Sequence, residues 1–179
     1  MILGLLAAAA VVGEVAPAPG LAAPCIWLKL PAYKEQVLAA ADFPTFDRLR
    51  RAYPEAEAEA AFAACVPEGG ADAAAEMAFT YYEASLWARR RLVGKWPEAT
   101  LNAIDAMPET DLKYFWLQPD PAKADPAWTA ERKAAWARVY GPFGRVEPAA
   151  PKDDLDTYIV ARVGWRLGEI DYRQGLARR

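Results

Sequence analysis

Four times along the chain an apolar residue, a proline and a glutamate stand in succession: Tyr53-Pro54-Glu55, Val66-Pro67-Glu68, Trp96-Pro97-Glu98 and Met107-Pro108-Glu109. Proline breaks a helix that tries to run through it and biases the preceding residue toward extended backbone. At the first helical position its missing N–H wastes no hydrogen bond, and a glutamate just after it meets the positive end of the helix dipole. The four units therefore read as helix starts. Asp125-Pro126 adds a fifth, with Asp125 as N-cap, and Pro151 followed by Asp153 and Asp154 a sixth.

Apolar periodicity fills in the helices between these punctuation marks. In the segment from Ala71 to Val93, Ala74, Met77, Ala78, Tyr81, Ser85, Ala88 and Leu92 share one face, with Glu76, Glu83 and Arg90 placed elsewhere. Leu155, Ile159, Val163, Leu167 and Ile170 do the same from Asp153 to Tyr172. Shorter helices are expected at 31–41, 44–53, 54–65, 97–107 and 126–140. The only stretch with any strand-like look, Tyr114 to Leu117, is too short to make a sheet alone. The expected fold is all-α, an irregular bundle of about six short-to-medium helices with Pro-rich connections at 118–126 and 141–151 and one disulfide.

Residues Met1 to Gly13 form an uncharged apolar run, too short to cross a bilayer as a helix. The run fits the core of a secretory signal, with Gly20-Leu21-Ala22 as a small-x-small cleavage site, although no basic segment precedes it. The rival readings are an uncleaved apolar anchor and an ordinary buried helix. Export implies a signal peptide at 1–22, a single helical domain at 23–179, a periplasmic or secreted location and no transmembrane segment in the mature chain. Cys25 then stands near the mature N-terminus. The stretch from Leu21 to Cys25 approaches a lipoprotein box, but Pro24 occupies the position that wants a small residue. The alternative pairs Cys25 with Cys65, as an even cysteine count in an oxidising compartment favours. Closing about 40 residues contributes about 4 kcal/mol in the chain-entropy account.

The chain has no histidine and a single serine, Ser85. Histidine-based nucleophile systems, His-ligated zinc and an imidazole pH switch are thus excluded within the chain. Gly94-Lys95 is followed by Trp96 where a phosphate loop needs Ser or Thr, and Ser85 has Ala88 where a Lys base would stand. Ser85 reads as a core hydroxyl bonded to a backbone carbonyl. No cofactor and no metal is expected, and a formal charge of −3 argues against nucleic-acid binding.

Gly164 and Gly168 have the spacing that lets helices approach closely, within a soluble bundle or across a homodimer. Glu169 and Arg173 form an i,i+4 ion pair on the polar side. Arg162 and Arg166 are like charges that call for an acidic partner or an anionic ligand. Alanine removes little area from water, so the core must lean on seven tryptophans and eight tyrosines. The candidate binding surface comprises Trp116, Trp128, Asp120, Asp125, Arg90 and Arg91. The functional expectation is an exported non-enzymatic helical protein of the bacterial envelope that binds a protein partner or an envelope component. The alternatives are a carboxylate-dependent cell-wall glycan hydrolase, which needs no histidine, and a secreted inhibitor or immunity protein.

Overall fold

The computed structural model describes residues 21–53, 55–66, 72–117, 125–141 and 152–177. Residues 1–20 of the expected leader, Pro67, Asp120, most of both Pro-rich connections and the terminal Arg178 and Arg179 lie outside the described residues. Within them are nine helices, three more than expected: α1 (Ala22–Leu28), α2 (Pro31–Ala39), α3 (Phe43–Arg51), α4 (Glu55–Cys65), α5 (Ala73–Leu92), α6 (Glu98–Asp105), α7 (Glu109–Trp116), α8 (Pro126–Tyr140) and α9 (Lys152–Ala177). Tyr114 to Leu117, the strand-like stretch, ends α7 instead, because Pro108-Glu109 opens a helix that runs directly into it.

The helix starts follow side-chain chemistry. Asp42, Asp72 and Asp125 cap α3, α5 and α8, accepting from the amides of Thr45 (2.8 Å), Ala74 (2.9 Å) and Ala127 (2.8 Å). Pro97 and Pro108 sit one residue earlier than expected, at the N-cap positions, and leave Glu98 and Glu109 as the first helical residues. Asp72 sets the start of α5. Gly94, at φ +76°, reverses the chain after α5 in a conformation that other residues adopt at a cost.

Helices α5 and α9 pack along each other and carry the rest. Gly164 lies under the Tyr81 ring, and a Cβ at Gly168 would stand 2.7 Å from the Ala78 amide nitrogen. The small-residue spacing is thus consumed inside the chain, where α5 fills the faces that a homodimer would have used. On one side α1 packs on α5 and is bonded to α4 through Cys25–Cys65, with an S–S distance of 2.07 Å. On the other, α7 packs on α8 and α9, and α6 on the same two helices. Trp27, Ile26, Val37, Leu92, Ile104 and Leu155 are fully buried in one contiguous core. Asp105, at the end of α6, ties three helices together: it accepts from Arg89 of α5 (2.9 Å) and from Tyr158 of α9 (2.5 Å), and pairs with Arg162 (3.3 Å).

Two outcomes test this packing. Gly168→Ala forces a methyl against backbone and is expected to cost about 1–3 kcal/mol, whereas Gly175→Ala, which meets open space, is expected to stabilise by up to about 1 kcal/mol; thermal melts of both variants compare them. Reduction of Cys25–Cys65 should remove about 4 kcal/mol of stability, read from urea unfolding with and without a thiol reductant.

Candidate functional site

A groove of 580 Å³ runs between α3, α5 and α9. Its floor is left open because the seam residues there are small: Ala84 from α5 and Ala161 from α9. One wall is aromatic. Phe43 and Phe46 project from α3, and Phe46 stacks on Trp87 with ring centroids 4.9 Å apart and planes 17° from parallel. The opposite wall is Val160 of α9, with Thr80 and Tyr81 of α5 between. Phe43 is 54% exposed and Val160 46%, so apolar surface faces water on both sides of the groove.

The charged groups at the rim are already engaged. Arg50 pairs with Asp47 at 3.2 Å, and Asp156 accepts from the Tyr140 hydroxyl at 3.1 Å. An occupant would therefore meet chiefly aromatic and aliphatic surface.

The sequence candidates fall around this groove unevenly. Trp116, 37% exposed, does not line the groove but stands edge-on to its residue Tyr81 at 5.3 Å, and Leu117, next in the chain, is exposed. Arg91 likewise stands beside the groove. It shares a small recess with Phe43 and Trp87, lies over the Trp87 ring at 5.1 Å, approaches Asp154 at 3.8 Å and donates to the Ala41 carbonyl. Arg90 is exposed next to it. Trp128 is elsewhere: it packs edge-on against Tyr114 at 5.4 Å. Tyr114 and Trp116 are two residues apart on α7, a rotation of about 200°, so the two tryptophans flank opposite sides of that helix. Asp125 is the α8 N-cap.

The remaining polar candidates have structural partners. Ser85 donates to the Tyr82 carbonyl at 2.8 Å. Arg162 and Arg166 find the acidic partner and a carbonyl on neighbouring elements, Asp105 and the Met107 oxygen, with Arg162 also over the Trp165 ring at 4.2 Å. Glu169 departs from its expected ion pair. Its carboxylate turns away from Arg173 and accepts from the amides of Ala22 (3.2 Å) and Ala23 (2.8 Å), while Arg173 bonds the Glu169 carbonyl and pairs with Glu109.

Glu83 also differs from its expected place off the apolar face: it is 1% exposed. The reason is that α5 is covered on more than one side, by α9 and by α1 and α2. Burial pushes its carboxyl up to about 7, opposed by the Tyr33 hydrogen bond at 2.6 Å and by the nearby Arg50 charge. Tyr33 is raised in turn, first by burial and then by Glu83. A glycan hydrolase would need a raised acid facing a second carboxylate across a cleft. The raised acid here is buried on a phenol. Two carboxylates that share a cavity, Asp111 and Glu131 in a 400 Å³ recess, are each bonded to another group: Asp111 by the Arg138 guanidinium through two 2.8 Å bonds, Glu131 by the Tyr114 hydroxyl. Among the described residues no cluster of three or more His, Cys, Asp or Glu is arranged to hold a metal ion, and no helix is long and apolar enough to cross a membrane.

Sequence reading passed over Phe43, Tyr81 and Val160 as groove residues. Phe43 carried a usable signal, since it follows the N-cap Asp42 and precedes Pro44, a position in the first turn where an apolar ring has little helix of its own to cover it. Compared with protein-family models, with curated proteins and with solved structures, the chain finds no match in any of the three.

The raised Glu83 gives a pH dependence with a definite sign. Below pH 4.5 the carboxyl is protonated both folded and unfolded; as pH rises from there the unfolded chain ionises first, so stability falls until the folded group ionises near 7. Glu83→Gln should remove this slope, becoming more stable than the wild type above pH 7 by up to about 3 kcal/mol, as urea unfolding at pH 5 and pH 8 would read.

Proposed function

We propose that the protein is an exported, non-enzymatic helical protein of the bacterial envelope that binds its partner through the apolar groove between α3, α5 and α9. The observation that carries the binding reading is the exposure of apolar side chains on both walls of one concavity, Phe43 and Val160, with the half-exposed Trp116 edge-on to the groove residue Tyr81. A concave, mostly apolar surface with few polar groups is the usual form of a binding site, and exposed apolar patches mark interaction surfaces. Export draws support from the apolar leader-like run and from a disulfide, a bond that persists in oxidising compartments. In this reading residues 1–22 are removed, 23–179 form one helical domain, and the location is periplasmic or secreted. The partner is a protein or envelope component that presents an apolar group. The non-enzymatic part draws on the commitment of Glu83, Asp111 and Glu131 to structural partners.

Val160 is exposed on α9, so replacing it tests the groove without touching the core. Val160→Glu is expected to leave the thermal midpoint near the wild-type value and to weaken retention on isolated envelope fractions about tenfold, the scale of one lost apolar side-chain burial. Unchanged retention would remove the groove from the binding role.

A further inference from the structure

Glu169 lies in α9 and is 3% exposed. Among the described residues its carboxylate has two hydrogen-bond partners, both neutral main-chain amides: Ala23 N–H to Oε1 at 2.8 Å and Ala22 N–H to Oε2 at 3.2 Å. Arg173, one turn on, does not neutralise it, because its Nε donates to the Glu169 main-chain oxygen and its guanidinium pairs with Glu109. Burying a carboxylate without a cation is costly, and buried charges are ordinarily paired. The closer of the two donors is the nitrogen of the Ala22–Ala23 peptide bond. That is also the bond at which Gly20-Leu21-Ala22 places signal cleavage.

We infer that Glu169 is the receptor for the protein's own processed N-terminus. The inference rests on the export reading above. A signal peptidase hydrolyses the Ala22–Ala23 bond with one water: the hydroxyl goes to the Ala22 carbonyl carbon and a proton to the Ala23 nitrogen. The released α-amine takes a second proton from solvent, as α-amines do near neutral pH. Its ammonium then stands where the Ala23 amide stood, 2.8 Å from Oε1. With three donors it can serve both carboxylate oxygens and replace the amide lost with Ala22. The neighbouring chain holds it there: Cys25 is bonded to Cys65, and Ile26 and Trp27 are fully buried. Cleavage thus supplies the missing cation, so the mature chain is more stable than its precursor.

The test expresses the full chain with its leader in a Gram-negative host and takes the intact mass of the exported protein. A mature chain beginning at Ala23 is the expected result. Export with cleavage at another bond would overturn this inference and leave the export reading standing. A chain that keeps residues 1–22 would overturn both. Glu169→Gln is then compared in two forms, the processed chain and the full chain made without export and oxidised in vitro. The substitution should lower the folding equilibrium constant of the processed chain at least about a hundredfold more than that of the full chain. An equal loss in both forms would reduce Glu169 to a helix cap and overturn the inference. If the variant does not fold, the wild-type processed chain decides: its Ala23 amine should react with an N-hydroxysuccinimide ester at pH 7 at least about tenfold more slowly when folded than in urea. Equal rates would overturn the proposal.

Discussion

The contact of α9 with α5 through Gly164 and Gly168 is the constraint on which the other helices depend. Where Gly168 meets Ala78 the two backbones approach too closely for a side chain to stand between them, and the seam is set by main chain rather than by deformable rings. That closeness has consequences along both helices. It seats Tyr81 over Gly164, leaving its ring to meet Trp116 of α7 and to form part of the groove. Further along, the same seam is lined by Ala84 and Ala161, too small to fill the space that α3 leaves open. The groove is therefore a by-product of the feature that holds the bundle together.

A long central helix pair covered by seven shorter helices creates a second problem, that of polar groups caught between layers. Each is answered locally. Asp105 gathers Arg89, Tyr158 and Arg162, so one carboxylate serves α5, α6 and α9. Asp111 takes Arg138 through a two-bond contact that joins α7 to α8. Glu83 holds Tyr33 and stays largely protonated up to about neutral pH. Glu169, buried in α9, accepts from the main-chain amides of Ala22 and Ala23. These groups are tied to structural tasks, which leaves the apolar groove as the concave surface whose exposed residues have no such task within the described fold.

Much of the architecture was legible in the residues. The Pro-Glu units and the Asp125 cap mark real helix boundaries at α6, α7 and α8, with Pro97 and Pro108 offset by one position because Glu98 and Glu109 can open the helices themselves. The Cys25–Cys65 bond and the core role of Ser85 also follow from composition and short spacing. The two helices for which the sequence offers no range, α1 and α7, are too short to show a period, although Pro108-Glu109 marks where α7 starts. The site was less legible. Trp116 meets the groove residue Tyr81 and Arg91 shares a recess with Phe43, yet Trp128 lies across α7 from Trp116, because neighbours in sequence on a helix are not neighbours in space.

By itself the sequence determined the helical class, most of the helical segments, where many of them start and which two cysteines join. Proline geometry, N-capping and 3.6-residue periodicity act within a turn or two of chain, so they can be read from it directly. The tertiary structure alone decided that Glu83 and Glu169 are buried, that Gly164 and Gly168 are spent on α5, and that Phe43 and Val160 are left uncovered on either side of a groove. Those outcomes depend on how many helices surround a given face. A surface that looks polar on one helix becomes interior once a second layer closes over it, and a gap between helices is a property of residues far apart in the chain.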